Sequence, residues 1–511
     1  MLVNDFLENS AKNYPDKIAL ITDKGRYTYK EIDEAADKVA AALIADGFKK
    51  GDRAVIFMDN EFEPVVSLFG ILKAGGIFMV INPTTKTEKL TYILNNSRAV
   101  ALLSSAARQS VLAAACNNTV SLKNVYLTGD NISSIKGFYK KIHSLADVIN
   151  GGYAGRPESR AIDVDLASLI YTSGSTGSPK GVMMTHHNMI SAATSITQYL
   201  ENTPEDIILN TLPMSFDYGL YQVLMAFMVG ATIILEKTFA YPYKVIERII
   251  REKVTGFPIV PTIAAILFQK EEIKKKNFDN LRYISNTAAA LPESHIRKLR
   301  VYFPNTKIYS MYGLTECKRV SYLPPEQIDI RPTSVGKGMS NVEVHIADEN
   351  GNPLGPNETG ELVVRGSNVM RGYWELPEET AKILRPGPGP GETFLYTGDL
   401  FKMDEEGYLF FIGRKDDIIK SRGEKVGPTE VENAIYAIDG VLEVVVTGVD
   451  DPVLGQALKA RITRGNGSNL TEKGVKKFCL NHLEDFMVPK HVEFVAELPK
   501  TSSGKISAHV Q

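Results

Sequence analysis

The sequence predicts an α/β protein: a large N-terminal region of βαβ subdomains with a β-rich part, then a small α+β unit at the C-terminal end. Two patterns carry this reading. Over the first two-thirds, short apolar runs alternate with longer helical patterns, which is how a buried, largely parallel sheet is written. From about Val335 the texture changes to alternating strands with Gly and Pro turns, and the tail reads helix, strand, strand, helix, strand.

Taken in order, Arg53 to Met58 reads as a buried strand, Glu61 to Lys73 as a helix, and Ile77 to Ile81 as a strand closed by Asn82-Pro83. Ala99 to Leu103, Leu169 to Thr172, Ile207 to Leu212, Thr232 to Leu235, Arg282 to Ser285 and Lys307 to Met311 are further strands. Helical patterns cover Leu220 to Val229, Lys244 to Lys253 and Pro292 to Tyr302. Ligands in such sheets bind outside the carboxyl ends of the strands, so the loops after strands are where chemistry is expected. In the β-rich part, Val342 to Ile346 and Glu361 to Val364 alternate around the turn Glu349-Asn350-Gly351. Arg385 to Gly391 alternates Pro and Gly and must be a surface loop. Tyr408 to Ser421 looks like a hairpin. The tail gives a helix at Thr429 to Tyr436, strands at Glu443 to Val446 and Leu458 to Ile462, a helix at Glu472 to His482 and a strand at His491 to Phe494.

Composition narrows the function. The 511 residues carry 58 basic and 60 acidic side chains, a formal net charge of −2, so no positive excess exists to neutralise a nucleic acid. Three scattered cysteines, Cys116, Cys317 and Cys479, suit neither a disulfide framework nor a zinc site and fit a reducing compartment. Asp5 and Glu8 precede any apolar run, so no secretory leader is expected. The most membrane-like stretch, Leu220 to Leu235, is shorter than the roughly 18 residues of a span and reads as buried core. A cytoplasmic protein with no nucleic-acid partner and no membrane span is expected.

The most informative segment is Tyr171-Thr-Ser-Gly-Ser-Thr-Gly-Ser-Pro-Lys-Gly181, which follows a strand and precedes a helix near His187. Its glycines permit close backbone approach to a ligand. Thr172, Ser173, Ser175, Thr176 and the backbone N–H groups around Gly174 and Gly177 offer donors to anionic oxygens, and Lys180 adds a charge. A plain flexible linker would not carry Pro-Lys directly after a core strand. The segment is not a Walker A loop, because Pro179 stands before Lys180 where Gly is required. Nor is it a nucleophile elbow, because Ser173 stands where G-x-S-x-G needs its first Gly.

This segment resembles the signature loop of the adenylate-forming superfamily: acyl- and aryl-CoA synthetases, luciferases and peptide-synthetase adenylation domains. The resemblance spans the chain and is greatest to AMP-forming acyl-CoA ligases. Further motifs follow in the family's order: Met311-Tyr-Gly-Leu-Thr-Glu316, Tyr396-Thr-Gly-Asp399, Gly413-Arg-Lys-Asp-Asp417 with Arg422-Gly423, and Pro499 to Lys505. It implies an ATP-dependent ligase that joins a small carboxylic acid to a thiol in two steps. The carboxylate attacks the α-phosphate of ATP and pyrophosphate leaves; a thiol then attacks the acyl-adenylate and AMP leaves. A carboxylate is already ionised at neutral pH, so the first step needs positioning and charge neutralisation rather than a side-chain base.

By the same resemblance, Thr172 to Gly177 and Lys180 would hold the pyrophosphate end of ATP. Tyr312 and Ala289 would lie by the adenine, Thr315 by phosphate, and Glu316 would ligate Mg²⁺. Asp399 and Arg414 would hold the ribose. Asp416 would be the hinge between residues 1–412 and a mobile domain of residues 413–511. Lys505 would bridge carboxylate and α-phosphate in the first step, and Gly423 would face coenzyme A in the second. Two departures stand out: Thr287-Ala-Ala-Ala-Leu-Pro292 replaces a Gly-rich adenine loop, and Ser310 stands where relatives carry Gln or Asn.

The acid is less legible. Ser215-Phe-Asp-Tyr-Gly219 opens a helix whose Phe216, Asp217, Tyr218 and Tyr221 would line an acyl pocket. Asp217 reads either as an N-cap or, as in relatives that activate amino acids, as the partner of a substrate ammonium. The leading expectation is an acyl-CoA synthetase of fatty or other carboxylic acid metabolism. The alternative is a stand-alone aminoacyl (for example prolyl) carrier-protein ligase. Lys505 lies six residues from the end of the sequence, so the carrier domain is expected to be separate.

Overall fold

The computed structural model describes residues 1–130, 132, 137–152, 155–158, 161–172, 178–422, 424–451, 454–465, 467–501 and 506. Three sheets organise them. The first runs, in spatial order, Gly372–Tyr373, Lys180–Thr185, Leu166–Thr172, Ile77–Val80, Arg53–Phe57, Ala101–Ser105, Asn124–Thr128 and Lys141–Ser144. It is parallel from Leu166–Thr172 onward and antiparallel at its first two pairings. Its central strands Arg53–Phe57 and Ile77–Val80 are nearly all-apolar because helices cover the sheet: Phe62–Lys73 buries ten of its twelve residues.

The second sheet is mixed. Its parallel part holds Ile18–Ile21, Thr232–Leu235, Ile207–Asn210, Gly256–Ile259, Tyr283–Asn286 and Lys307–Tyr312. It continues antiparallel through Ser321–Leu323, Ser334–Gly338, Leu409–Arg414, Thr393–Met403, Thr359–Gly366 and Val342–Ala347. The textural shift near Val335 therefore marks a change of pairing within one sheet, a long-range fact that local patterning does not carry. Arg385 and Pro386 are exposed and belong to a three-residue edge strand, a place in a sheet where Pro is readily tolerated.

The membrane-like stretch is core, as expected. Asp217–Val229 is buried from Asp217 through Phe227 and stops at Gly230, whose φ of +77° allows its N–H to reach the Ala226 carbonyl. Each fully buried Leu or Phe on it contributes about 2 kcal/mol, and Leu224→Ala would cost about 3 kcal/mol. No helix among the described residues is long and apolar enough to cross a membrane.

The third sheet joins Glu424–Val426, Ile419–Ser421, Gly455–Arg464 and Val441–Asp451, with His491–Phe494 parallel to Gly455–Arg464. It has its own core of Ile419, Val431, Ile435, Val446, Leu458 and Val475. Tyr408 to Ser421 is not one hairpin. Leu409–Arg414 belongs to the second sheet and Ile419–Ser421 to the third, and the chain crosses between them in the short 3-10 turn Lys415–Asp417. Tyr436 meets His295 edge-to-face across the two regions, centroids 5.2 Å apart. The charged segment Glu271–Lys275 forms a 3-10 turn. All three cysteines are buried and free, and burial raises each thiol: Cys116 to about 12, Cys479 to about 11 and Cys317 well above its usual range.

Candidate active site

Three loops leave the carboxyl ends of parallel strands in the second sheet, where such sheets bind ligands. Tyr283–Asn286 leads into the loop expected beside the adenine, in which Ala288 adopts φ +79° and the exposed Ala289 gives its carbonyl to Asn286 Nδ2 at 3.0 Å. Lys307–Tyr312 leads into the turn carrying Thr315 and Glu316. No helix follows Thr315, so it caps none. Ile207–Asn210 leads to Phe216 and Asp217. The phosphate segment lies in the first sheet. Thr172 ends one strand, Lys180 opens the next, and the two are register partners across the intervening loop. The strand Lys180–Thr185 thus lies between Thr172 and the helix His186–Tyr199 in the chain. Ser173, Gly174, Ser175, Thr176 and Gly177 lie outside the described residues, as do Gly423 and Lys505.

Asp399 is the centre of one cluster. It is 4% exposed and accepts from the Tyr312 hydroxyl at 2.5 Å and from Arg414 Nε at 3.1 Å. Its position is fixed by chain geometry: Gly398 turns at φ +73°, its N–H held by Glu361, and the Asp399 N–H donates to Thr397 Oγ. Asp399 is also the register partner of Arg414, so one strand pair sets both. Burial first, then the Asp399 carboxylate, push the Tyr312 phenol well above its usual range, so it stays a donor.

A second cluster links the two sheets. Lys180 Nζ pairs with Glu379 at 2.6 Å and lies 5.2 Å above the Tyr373 ring, while the Tyr373 hydroxyl donates to Glu316 at 2.7 Å. The ion pair with Lys180, then that with Lys382, draws Glu379 down to about 2. Lys180 and Glu316, far apart in sequence, are thus separated by a single tyrosine. Sequence reasoning missed Tyr373. Only its place in Gly-Tyr-Trp after a polar loop hints at it, and what brings it here is the pairing of Gly372–Tyr373 with Lys180–Thr185. Glu316 keeps one carboxylate oxygen on Tyr373, and among the described residues no group of three metal-ligating side chains occurs. This suits a cation carried in by phosphates and held by one carboxylate rather than a dedicated cage.

At the acid end, Asp217 is the first residue of its helix. The N-cap is Phe216, without a side-chain cap bond, so the capping role expected for Asp217 is corrected by one position. Asp217 instead lies 3.7 Å from Lys318 Nζ, both side chains buried. Lys318 also sits 4.6 Å from the Tyr221 ring centroid, and Arg319 5.2 Å from that of Tyr218. Tyr218 is tied to Ser285 at 2.7 and 2.8 Å, and Phe216 meets Tyr218 edge-on. Gly219 is required, because a Cβ there would stand 2.3 Å from the Pro213 carbonyl. Neither motif nor periodicity marks Lys318 and Arg319 as site residues. Asp416 is exposed in the crossing turn.

Residues 7–374 match the AMP-binding enzyme family, and residues 430–505 match the AMP-binding enzyme C-terminal domain. The chain is 31% identical to a long-chain-fatty-acid–CoA ligase of Bacillus subtilis, over 99% of this chain and 93% of that protein. ATP-bound MatB from Rhodopseudomonas palustris superposes with a TM-score of 0.87 at 28% identity, covering 99% and 97% of the two chains. The anthranilate CoA ligase AuaEII with anthranoyl-AMP gives 0.89 at 26%, covering 99% and 95%. With the nucleotide-side residues gathered as described, the chain belongs to the AMP-binding enzyme family and is an AMP-forming acid–thiol ligase of the acyl-CoA ligase kind.

Proposed function

We propose that the protein converts a carboxylic acid to an acyl-adenylate with ATP and then passes the acyl group to the thiol of coenzyme A. The observation that carries this is the pair of clusters around Asp399 and Glu316. Asp399 presents carboxylate oxygens where ribose hydroxyls need acceptors. Lys180, displaced from Glu379, would neutralise the leaving pyrophosphate with donors from Thr172 to Gly177. Thr315 would donate to phosphate. Glu316, held by Tyr373, would bind Mg²⁺, which spreads phosphate charge as pyrophosphate departs. Tyr312 and Ala289 flank the adenine. The acid's carboxylate oxygen forms a bond to the α-phosphorus as the α–β bridge bond breaks; the thiol sulfur then bonds the acyl carbon and AMP leaves.

Lys505 acts in the first step only. The swivel that withdraws it would turn at Asp416, in the turn between Arg414 and Ile419, close to the division expected between residues 412 and 413. Gly423 then faces the incoming thiol. The amino-acid alternative loses support at Asp217, whose charge is already matched by Lys318.

The test supplies ATP, Mg²⁺ and a panel of carboxylic and amino acids, and measures pyrophosphate and acyl-adenylate. Coenzyme A is then compared with a phosphopantetheinylated carrier as acceptor. Adenylation of simple acids and transfer to coenzyme A is the expected result. Adenylation of proline alone, or transfer to the carrier alone, overturns it.

A further inference from the structure

The acid end of the site holds more cationic charge than its own residues balance. Lys318 and Arg319 are 3% and 1% exposed and follow one another in a turn that Asn368 clamps, its Nδ2 donating to the carbonyls of Cys317 (2.6 Å) and Arg319. Lys318 adopts φ +54°, the left-handed region, which is held only where surroundings enforce it. Asp217 meets Lys318. Arg319 meets the face of Tyr218 and the hydroxyl of Tyr199. Burial keeps both phenols protonated, raising Tyr199 to about 12 and Tyr218 beyond that, so neither supplies a negative charge. Arg319 Nε and Nη1 have no hydrogen-bond partner among the described residues, and no ion pair to Arg319 occurs among them. A buried guanidinium with open donors is costly, and the group that ends the cost is an anion.

The reacting carboxylate is not that anion. Glu316 and Arg319 leave the same turn toward different walls: Glu316 toward Tyr373 and Lys180, where phosphate chemistry belongs, and Arg319 toward Tyr218 and Tyr199. We propose that Arg319, with Lys318 beside it, receives a second carboxylate of the substrate, so that the acid activated here is dicarboxylic rather than a simple fatty acid. This rests on the acid–thiol ligase reading. It adds that the apolar wall of Tyr218 and Tyr221 ends in a cationic stop, where a fork of guanidinium donors meets a carboxylate's two oxygens.

The experiment measures ATP–pyrophosphate exchange by the wild type and by Arg319→Met and Arg319→Lys. Substrates are straight-chain monocarboxylic acids and the matching α,ω-dicarboxylic acids of three to eight carbons. The wild type should favour at least one diacid over its monoacid by about 10²-fold or more in kcat/KM, the scale on which a built polar site rejects an analogue lacking its partner. In Arg319→Met, kcat/KM for that diacid should fall at least tenfold further than for the monoacid, through KM, and Arg319→Lys should restore part of the difference.

Exchange with monoacids at equal or better efficiency overturns the proposal while leaving the ligase reading intact. Equal loss for both acid classes in Arg319→Met also overturns it, since Arg319 would then hold the reacting carboxylate. No exchange with any acid overturns the ligase reading and the proposal with it. Calorimetric titration of the wild type with each diacid and its monomethyl ester stands independently of whether the variants fold. Tighter binding of a diacid supports the proposal, and equal binding of diacid and ester throughout overturns it.

Discussion

Asp399 and Asp217 are both buried carboxylates, each beside a tyrosine and a cation, yet their surroundings differ. Asp399 accepts from Tyr312 and from the largely exposed Arg414. Asp217 stands against buried Lys318, whose chain neighbour Arg319, also buried, keeps open donors. Arg319 keeps open donors at the one end, while motif residues gather at the other. Under the proposed function, the half that would meet the nucleotide is built from motif residues and the half that would set substrate choice largely from residues outside any motif.

The largest effect that would sharpen this contrast belongs to Lys505. Lys505→Ala should lower adenylate formation about 10²–10³-fold, the scale of one lost oxyanion-type contact, while thiol transfer from supplied adenylate persists. Equal loss in both half-reactions would break the swivelling account. Asp399→Ala comes next. Losing a charged acceptor for ribose should raise KM for ATP by about 10²-fold, with little change in the ranking of acids. A changed ranking would mean that the two ends are not separable. Asp217→Asn should act on stability: removing the carboxylate beside buried Lys318 costs about 3 kcal/mol and lowers the melting temperature. Added diacid should recover part of that loss.

Tyr373→Phe removes one bond to Glu316 and should raise the Mg²⁺ concentration for half-maximal activity several-fold, about 1 kcal/mol. The smallest effect is a null. Tyr312 is raised above its unfolded value, so what its protonated form contributes is complete below pH 10 and is lost only as pH climbs beyond it. ATP affinity should be flat from pH 7 to pH 9.5; a fall within that window would show an ionising Tyr312.

Much of the fold is legible because its signals are local. The helix Glu472–His482 and the strands Thr232–Leu235 and His491–Phe494 lie where apolar periodicity puts them. Tyr312, Asp399 and Arg414 are legible through motifs, and the structure brings these three together. What the sequence hides is long-range pairing. The register that carries Tyr373 to Lys180, the continuous mixed sheet and the crossing at Lys415–Asp417 depend on which strands meet. The Asp217 cap failed on a single residue, because one position separates Ncap from the first helical turn and propensity does not resolve it. Lys318 and Arg319 hid as ordinary surface cations, since only burial gives them meaning.

The burial of the three thiols bears on what becomes of the activated acyl group. An acyl-adenylate is a strong electrophile, and the acceptor for which it is made is a thiolate. Cys317 is the neighbour of Glu316, closer along the chain to the reaction than any other sulfur the protein owns. Sealed from solvent and held protonated, it is a poor nucleophile, as are Cys116 and Cys479. The enzyme thereby escapes self-acylation, and the mixed anhydride can wait for a thiol from outside.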